Sequence, residues 1–347
     1  MIIITIMIYY MENKSTDPYL NMALEQVIFD RMDRTNNYFM LWQNHNAIIV
    51  GKYQNTREEI NAEFVTEHTI AVVRRLSGGG AVYHDLGNLN FTFISDADKN
   101  KGIDFSVFCE PIQKALSSFG VPVDISGRND MTVEGKKFSG NAQYVKNNRI
   151  MHHGTILYDS DLTVLSRALK PEVPAADTDK IESRAIKSVQ SRVTNIRPYM
   201  KTDMPIADFW TALGKYMSAA FEMQALPIGD EYYSAAEELR EKVYAQWSWN
   251  YGYSPPHTMR IVRRIEGCGK IEILLDIERG GRINAIAFFG DFFGNRDPAE
   301  LGELLRTRRL EYGELRAALK NTDASEYFHA LDTETFISLL LGSQPKH

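Results

Sequence analysis

Cysteine is scarce in this chain. Cys109 and Cys268 are the two cysteines among its 347 residues, far apart and in no C-x-x-C pattern. This usage excludes a disulfide scaffold and a cysteine zinc site, and it fits a reducing cytoplasmic location. An excess of positive charge is also lacking, because the formal net charge is −6. We therefore expect no nucleic-acid partner and no membrane partner, while a local cationic pocket for a small anion is compatible with this charge.

Long hydrophobic runs are lacking too. The apolar opening at residues 2–8 is too short to span a bilayer, and it has neither the basic start nor the small-residue cleavage site of a signal peptide. We expect a buried strand at this position.

The most informative segment reads R-R-L-S-G-G-G-A-V-Y-H-D-L-G-N, at residues 74–88. Strand-like patterns flank three successive glycines, which lack a Cβ and let backbone N–H groups approach an anion, while Arg74 and Arg75 add positive charge. Neither G-x-x-x-x-G-K-[ST] nor G-x-G-x-x-G is matched. The segment predicts an anion-binding loop, and a glycine-rich turn beside two solvated arginines is the alternative.

Strand and helix patterns together predict an α+β fold of mixed β-sheets packed with helices. Asp17 and Pro18 are typical of a helix start. Helical spacing at residues 105–119 places Cys109 in an apolar, core-facing stripe. Further on, residues 207–221 also follow a helical period.

Residues 121–158 are typical of a β-meander with turns at 134–135 and 147–148. Its middle strand has a face that is polar throughout, since alternation places on it Lys137, Ser139, Asn141 and Gln143. This face is either the wall of a ligand site or an exposed sheet surface, and the two interpretations are equally compatible with the pattern.

The aromatic, glycine- and proline-rich stretch at residues 247–256 interrupts the pattern. We place a domain boundary there, with a catalytic domain at 1–252 and a small α/β accessory domain at 253–347. In the latter we expect strands at 259–264, 270–277 and 283–289, and helices at 298–305, 312–319 and 333–341.

Four blocks in order resemble the two-domain lipoate–protein ligases, whose catalytic domain is related in fold to that of biotin ligases. They are R-R-L-S-G-G-G-A-V-Y-H-D-L-G-N at 74–88, S-G-R-N-D-M at 126–131, K-K-F-S-G-N-A at 136–142 with H-H-G-T at 152–155, and S-V-Q-S-R-V-T-N at 188–195. The resemblance covers almost the whole chain.

The resemblance implies an ATP-dependent, adenylate-forming ligase. Such an enzyme activates lipoate to lipoyl-AMP and then transfers the lipoyl group to a lysine of an acceptor domain, in 2-oxoacid dehydrogenase E2 subunits or glycine-cleavage H protein. ATP, Mg²⁺ and the substrate lipoate are the implied small molecules. Catalysis requires that negative charge be neutralised where the lipoate carboxylate meets the α-phosphate.

The implied site residues follow from the same blocks. Lys137 is the catalytic residue, contacting both the lipoate carboxylate and the α-phosphate, and strand alternation points the adjacent Lys136 to the other face. ATP and the adenylate are held by Lys137 together with Arg75, Gly80, Ala81, Val82 and Tyr83. Lipoate is held by Lys137 together with Arg74, Ser77, Gly78, Gly79 and His153.

Other candidates have weaker signals. Asp130 is the candidate ligand for Mg²⁺, with a turn-stabilising carboxylate as the alternative. His84, His152 and His153 are expected to shape the lipoyl pocket or to be satisfied structural histidines. Trp42 is expected in the core, with a contact to the lipoyl tail as the alternative. A second loop over the adenylate is implied at 182–192, where Gln190 replaces a cation that relatives carry.

Two other functions compete with this one. An ATP-independent octanoyl- or lipoyltransferase of the same fold needs an accessible thiol of low pKa, which neither cysteine is expected to supply. A catalytically silent acyl-binding protein is the other, and retention of Lys137 and both loop arginines disfavours it. A biotin ligase is disfavoured because G-R-G-R-x-G-R is not matched.

Overall fold

The computed structural model describes residues 7–96, 104–126, 129–169, 192–251, 258–278 and 281–341, which fall into two compact units. The larger unit takes its residues from 1–50, 56–76 and 81–251, and the smaller from Gly51–Asn55, Ser77–Gly80 and 252–347. The boundary expected at 252/253 lies outside the described residues, so the domain limits 1–252 and 253–347 stay a prediction. Two short stretches that this prediction assigns to the catalytic domain, 51–55 and 77–80, pack with the smaller unit.

The larger unit contains most of the secondary structure. Its strands are β1 (Ile8–Glu12), β2 (Asn37–Trp42), β3 (Ala47–Val50), β4 (Ala71–Arg74), β5 (Val82–His84), β6 (Asn88–Asp96), β7 (Asp124–Ser126), β8 (Asp130–Val133), β9 (Lys136–Lys146), β10 (Arg149–Leu157) and β11 (Gln224–Ala225). Its helices are α1 (Pro18–Arg31), α2 (Thr56–Glu59), α3 (Ala62–Glu67), α4 (Ser106–Ser118), α5 (Leu162–Ala168), α6 (Ile206–Ala220), α7 (Asp230–Leu239) and α8 (Trp247–Tyr251). A π-helical turn, Arg240–Tyr244, follows α7.

Two sheets organise this unit. Eight strands form a mixed sheet in the order β11-β1-β2-β6-β10-β9-β8-β7. Strand β1 is parallel to both β11 and β2, and every pairing from β2–β6 onward is antiparallel. A second sheet has the order β4-β3-β5. This arrangement confirms the predicted α+β fold of mixed sheets packed with helices.

Helix α1 covers part of the large sheet. Asp17 caps it, its Oδ1 accepting from the N–H groups of Tyr19 and Leu20 at 2.8 and 3.2 Å, and Pro18 occupies the first turn as predicted. The helix is buried along much of its length and packs in one hydrophobic core with residues of β2. It therefore brings its own side chains, including a buried Glu25, against the sheet.

The predicted meander is confirmed, and its turns have the expected chemistry. Glu134 and Gly135 have φ of 51° and 74°, and Asn147 and Asn148 have 51° and 56°, the left-handed values that tight hairpin turns require. The polar face of β9 is not an exposed sheet surface, since Ser139, Asn141 and Gln143 are at most 3% exposed. That face is a buried polar layer, with Lys137 at its more exposed end.

Other elements depart from the sequence pattern. Residues 2–6 of the predicted strand lie outside the described residues, and strand β1 runs from Ile8 to Glu12. The strand ends at a polar residue, because Glu12 accepts a hydrogen bond from Trp210 Nε1. Residues 247–251, predicted to interrupt the chain, form α8. No helix is predicted at α7, because its sequence is strongly polar and shows no apolar stripe. The two alanines that pack in one core with α1, Ala235 and Ala236, are buried in the structure.

The smaller unit is built on an antiparallel sheet of three strands, β12 (Met259–Ile265), β13 (Gly269–Ile277) and β14 (Ile283–Gly290). Helices α9 (Ala299–Leu305), α10 (Tyr312–Ala318) and α11 (Thr333–Leu340) share a hydrophobic core with it. All six of these elements lie within one residue of their predicted limits at both ends. No helix in the described ranges is long and apolar enough to cross a membrane.

Candidate functional site

Lys137 lies on β9 beside an irregularity in the pairing with β8. Met131 is opposite Ser139 and Thr132 is opposite Lys137, so Phe138 is the additional residue of a β-bulge. A bulge bends its strand and re-aims neighbouring side chains. Lys137 Nζ lies 2.8 Å from Asp130 Oδ1, and 38% and 35% of these side chains are exposed. The structure thus brings the predicted catalytic residue and the candidate metal ligand together in a half-exposed ion pair.

Gly140 provides the space in which the Lys137 side chain lies. A Cβ at residue 140 would be 3.2 Å from both Cε and Nζ of Lys137, closer than most real Cβ contacts. The ammonium therefore rests against bare backbone three residues along its own strand. Any larger residue at 140 would displace the lysine head.

The end of the fourth motif block is fixed against this strand. Val193 forms a parallel bridge with Lys137, and Thr194 N–H donates to the Lys137 carbonyl at 2.9 Å. The Asn195 side chain makes two hydrogen bonds to the backbone of Ser160: its Oδ1 accepts from the Ser160 N–H at 3.0 Å, and its Nδ2 donates to the Ser160 carbonyl at 2.9 Å. Of the second loop predicted at 182–192, only Arg192 is described, and it is exposed; residues 182–191, including Gln190, lie outside the described residues.

Arg74 is buried and its guanidinium contacts protein groups. It donates to the Thr56 hydroxyl at 2.7 Å and to the carbonyls of Trp249 and Asn250 at 2.9 and 3.1 Å. Burial lowers its pKa to about 10. These contacts tie β4 to α8, so Arg74 has a structural role in addition to the lipoate contact that stays a prediction.

Arg75 is equally buried, with 6% of the residue exposed. Its Nη1 donates to the Ile49 carbonyl at 3.1 Å. Burial lowers its pKa to about 10, while the negative charge of Glu25 acts in the opposite direction. The alternative of two solvated arginines beside a turn is therefore wrong.

The glycine loop has two kinds of glycine. Gly78 approaches Phe292 so closely that a Cβ would lie 2.1 Å from the Phe292 carbonyl oxygen, and Gly79 has φ of 88° and donates its N–H to that same oxygen at 3.2 Å. Ser77 accepts from Lys52 N–H at 2.8 Å. Gly80, in contrast, has open space where a Cβ would be. Backbone packing in the smaller unit thus accounts for Gly78 and Gly79, and the ligand-binding role expected for Gly80 stays a prediction.

The segment after the loop returns to regular structure. Val82 and Tyr83 lie on β5, opposite Ile49 and Ile48 of β3, directly after Ala81. The Tyr83 hydroxyl donates to Asn46 Oδ1 at 3.2 Å. The adenylate-binding role expected for 80–83 stays a prediction.

A buried chain of polar side chains crosses the large sheet. Trp42 Nε1 donates to Thr92 Oγ1 at 2.9 Å, and Thr92 donates to Glu25 Oε1 at 2.6 Å. His153 Nδ1 lies 2.9 Å from both carboxylate oxygens of Glu25. The Glu25 carboxylate of helix α1 thus links side chains of three strands by hydrogen bonds: Trp42 of β2 through Thr92 of β6, and His153 of β10. Trp42 is a core residue as expected, yet its indole N–H belongs to this chain.

His84 lies beside this chain and is 3% exposed. Asn44 Nδ2 lies 3.1 Å from its Nδ1, whereas its Nε2 has no hydrogen-bond partner among the described residues. Burial, and then the charges of Arg75 and His153, lower its pKa to about 3. The ring is therefore neutral near pH 7, with a buried Nε2 that accepts from no described group.

His152 occupies a different place from His153. It is buried between Phe91, Phe105 and Phe108, with its ring nitrogens toward Gln143 and Asn141. It belongs to the polar layer of β9 rather than to the Glu25 chain.

Both cysteines are buried and neither forms a disulfide. Burial, and then nearby carboxylates, raise the pKa of Cys109 to about 12. A thiol with this pKa is not a nucleophile near neutral pH. The described ranges also contain no cluster of three or more histidine, cysteine or acidic residues arranged to hold a metal ion.

Comparisons with known proteins agree with the motif blocks. A family model described as the lipoyl protein ligase A/B catalytic domain matches residues 17–218, and one described as the bacterial lipoate protein ligase C-terminus matches residues 254–340. The chain belongs to the lipoate–protein ligase family. Membership makes it an enzyme of the ligase class.

Two relatives match almost end to end. Lipoate–protein ligase 1 of Staphylococcus aureus is 40% identical over 94% of this chain and 98% of its own length. Lipoate-protein ligase LplJ of Bacillus subtilis is 37% identical over 95% of this chain and 99% of its own length.

Solved structures share the fold of this lipoate–protein ligase family member. LipL1 of P. falciparum, in complex with lipoate, has a TM-score of 0.75 at 21% identity and covers 96% of this chain and 98% of its own. A bi-partite archaeal lipoate protein ligase from Thermoplasma acidophilum, studied with its E2 lipoyl domain, has a TM-score of 0.64 at 25% identity over 74% of this chain and 100% of its own. A lipoate-protein ligase A bound with ATP has a TM-score of 0.58 at 23% identity over 71% and 98%.

Sequence reasoning missed several residues of this ligase that the structure brings to the site. Glu25 was visible as a lone carboxylate among apolar neighbours of a helix, a position where a buried charge needs partners. Asn129 and Asn195 lay inside the motif blocks, but their roles depend on contacts between segments distant in sequence. Those contacts carry no local signal.

Proposed function

We propose that this chain is an ATP-dependent lipoate–protein ligase whose adenylation centre is the Lys137–Asp130 pair. The observation that carries the proposal is a half-exposed ammonium, 2.8 Å from a carboxylate, lying against Gly140 at a bulged strand end. Next to this ammonium lie the backbone of Gly140, which carries no side chain, and Thr194, whose N–H is bonded to the Lys137 carbonyl. Relatives solved with lipoate and with ATP support the substrates.

In the proposed first step, an oxygen of the lipoate carboxylate attacks the α-phosphorus of ATP and pyrophosphate leaves. In the second, the amine of an acceptor lysine attacks the carbonyl carbon of lipoyl-AMP and AMP leaves, so that an amide forms. Lys137 holds the carboxylate and the α-phosphate together and stabilises the charge that develops between them. To do so, its ammonium exchanges Asp130 for the substrates.

Asp130 is then released for Mg²⁺, which when bound neutralises phosphate charge. One partly exposed carboxylate fits an ion that usually takes one or two carboxylates together with substrate phosphates. It does not fit an ion held in an all-protein cage, which agrees with the lack of an acidic cluster in the described ranges. We propose Asp130 as the residue that would contact the metal.

The lipoyl chain is proposed to lie against the buried polar chain of Glu25, Thr92, Trp42 and His153. This part of the larger unit offers neutral His84 Nε2, without a partner among the described residues, beside the indole of Trp42 at a ring distance of 6.1 Å. Arg75 adds a buried cation close enough to Glu25 to interact with it. Such a wall combines apolar surface with a few fixed polar groups, as small-molecule sites do.

For the acceptor we propose lipoyl domains of 2-oxoacid dehydrogenase E2 subunits and glycine-cleavage H protein. A related archaeal ligase studied with its E2 lipoyl domain supports this choice. A cytoplasmic location is proposed on the same basis as before, since neither cysteine forms a disulfide.

The alternative transferase mechanism is not favoured. It requires a thiol that accepts the acyl group, and both thiols are buried. The burial that raises the pKa of Cys109 to about 12 also removes it from acyl donors. ATP-independent transfer therefore has no suitable nucleophile among the cysteines.

Exchange of labelled pyrophosphate into ATP tests the proposal directly. We expect exchange that requires lipoate and Mg²⁺ and needs no acceptor protein, since adenylation is the reversible first step. A chain that binds lipoate but catalyses no exchange would be a silent acyl-binding protein, which would overturn the proposal.

A further inference from the structure

His152 of the H-H-G-T motif is fully buried and is enclosed by aromatic rings. Its ring lies nearly parallel to that of Phe108, with 4.8 Å between the centroids. The centroid of Phe91 lies at 6.0 Å, and that of Phe105, whose ring is edge-on to the imidazole, at 5.8 Å. An imidazole in such surroundings is unfavourable unless both nitrogens are hydrogen-bonded. The partners of those two nitrogens therefore define what His152 does.

The protonation of the ring follows from Gln143. The Gln143 amide nitrogen donates to the Asp104 carbonyl at 2.8 Å, an atom that only accepts, which fixes this end of the side chain as NH₂. The same nitrogen lies 3.1 Å from His152 Nδ1. Nδ1 therefore accepts, and the proton of the neutral ring is on Nε2. Burial, which lowers the pKa of His152 well below its usual value, agrees with a neutral ring.

The Nε2 proton is donated to Asn141. His152 Nε2 lies 3.2 Å from Asn141 Oδ1, and the orientation of that amide is fixed because its nitrogen donates to the Asn129 carbonyl at 3.1 Å and to the Ser139 hydroxyl at 3.3 Å. Each of the two amide nitrogens donates to a backbone carbonyl, which can only accept, so neither amide can be reversed. The series thus specifies a single arrangement of Gln143, His152 and Asn141.

Asn141 in turn holds the residue before Asp130. Its backbone N–H donates to the Asn129 carbonyl at 3.0 Å, and Asn129 Nδ2 donates back to the Asn141 carbonyl at 2.6 Å. Asn129 precedes Asp130 directly, and Asn141 follows Gly140, against which Lys137 lies. The two asparagines therefore connect the two arms that carry the ion pair.

The other residues of H-H-G-T support the same point. A Cβ at Gly154 would lie 2.2 Å from Asn141 Oδ1 and 2.3 Å from the Phe91 ring, so the glycine makes room for the Asn141 amide. Thr155 Oγ1 accepts from Gly140 N–H at 3.1 Å. Three of the four motif residues on β10 thus bear on residues 140 and 141 of β9.

We infer that His152 is a positioning residue for adenylation: through Asn141 and Asn129 it sets the separation of Asp130 and Lys137. This inference rests on the proposed function, because it concerns the rate of the step assigned to Lys137. His152 itself contacts neither member of the pair. A purely structural role would lower stability without a selective effect on that rate.

The test compares His152→Phe with Tyr38→Phe in lipoate-dependent pyrophosphate exchange. Phenylalanine keeps the ring in its aromatic surroundings and removes both nitrogens. Tyr38→Phe is the matched control, since it removes one bond from a buried side chain, 2.9 Å to the Asp33 carbonyl, at a position outside the site. We expect His152→Phe to lower kcat by about tenfold to 10²-fold, with KM for ATP and lipoate within about threefold.

Two further variants keep the inference testable if His152→Phe folds poorly. His152→Gln places an amide N–H near the position of Nε2, and we expect it to recover most of the lost rate. Asn141→Ala interrupts the same series, so the double variant with His152→Phe should be no slower than the slower single variant within about threefold.

The inference is overturned if kcat of His152→Phe equals that of Tyr38→Phe, if His152→Gln is as slow as His152→Phe, or if the two losses multiply in the double variant. Lys137→Ala serves as the reference in the same assay. If that variant retains wild-type exchange, the proposed adenylation centre fails. If it loses exchange while His152→Phe does not, only the positioning role fails.

Discussion

The ammonium of Lys137 lies 2.8 Å from the carboxylate of Asp130, at the point where a β-bulge interrupts the pairing of β8 with β9. Because both side chains are more than a third exposed, the pair contributes little to stability. Its proposed role is positional: it holds the Lys137 ammonium over the bare backbone of Gly140, where an anionic substrate would replace Asp130 as its partner.

Lys137→Ala should abolish lipoyl-adenylate formation without unfolding the chain. Loss of one group that stabilises developing charge typically lowers kcat about 10²- to 10³-fold, and we expect a decrease of at least that size in pyrophosphate exchange. Lys137→Arg should restore little, since a planar fork replaces a compact point charge.

The matched control for this variant is Lys136→Ala. Lys136 is the adjacent, exposed lysine of the same strand, so its removal changes the net charge equally. It should retain exchange within about twofold, with a melting temperature within about 2 °C of the Lys137 variant. Equal losses in the two variants would mean that general charge, not position, is what matters.

Asp130→Asn should raise the Mg²⁺ concentration that half-saturates exchange. An amide retains the size of the carboxylate but is a poorer ligand for a hard cation. Titration of Mg²⁺ at saturating ATP measures the change, and we expect about tenfold or more. A lower melting temperature with an unchanged Mg²⁺ requirement would instead show a turn-stabilising carboxylate.

The glycine loop should divide into a structural and a functional part. Gly80→Val should leave the melting temperature within about 2 °C, because no atom of the described residues lies within 4 Å of a Cβ there. The same variant should weaken the binding of lipoate with ATP. Gly79→Val should lower stability by about 1–2 kcal/mol, because its φ of 88° disfavours a branched side chain. Calorimetric titration and thermal unfolding separate the two effects; unchanged affinity in a folded Gly80→Val variant would make the whole loop a turn.

Cys109→Ser and Cys268→Ser should both retain ATP-dependent ligation. Both thiols are buried, and the pKa of Cys109 is raised to about 12. A buried hydroxyl without a partner costs about 1–3 kcal/mol, so lower melting temperatures are expected and activity should be measured well below them. Transfer from an acylated carrier protein without ATP, abolished in either variant, would establish the thioester mechanism instead.

His84 should make stability depend on pH on the acid side of neutrality. Its folded pKa, about 3, lies below the unfolded value near 6.5, so between these values the unfolded chain takes up a proton that the folded chain does not. Stability is complete above about pH 6.5 and decreases as the pH falls, by about 1.4 kcal/mol for each unit.

Denaturant unfolding of the wild type and His84→Gln at about pH 7 and pH 5 measures this contribution. The variant lacks the titrating ring, so its loss of stability on acidification should be smaller by about 2 kcal/mol. His152 has a pKa shifted in the same direction but is present in both proteins and cancels. Equal losses in both would show that the His84 ring is not buried as a neutral base.

Much of the fold follows from the sequence because its signals are local. The cap at Asp17, the glycine and asparagine turns at Gly135 and Asn147, and the alternation in β9 each depend on neighbouring residues alone. Helix α8 and the buried alanines of α7 depend on packing, so no local pattern predicts them. The same division holds for the site: motif blocks predict Lys137, but the burial of Arg74 does not follow from a pattern typical of a solvated loop.

Mass spectrometry of a purified E2 lipoyl domain, incubated with the chain, lipoate, Mg²⁺ and ATP, tests the central claim most directly. The account predicts a gain of one lipoyl group on one acceptor lysine, lost when ATP is omitted and lost with Lys137→Ala, and restored to that variant in part by preformed lipoyl-AMP. Transfer that proceeds equally without ATP, or equally well with Lys137→Ala, would contradict it.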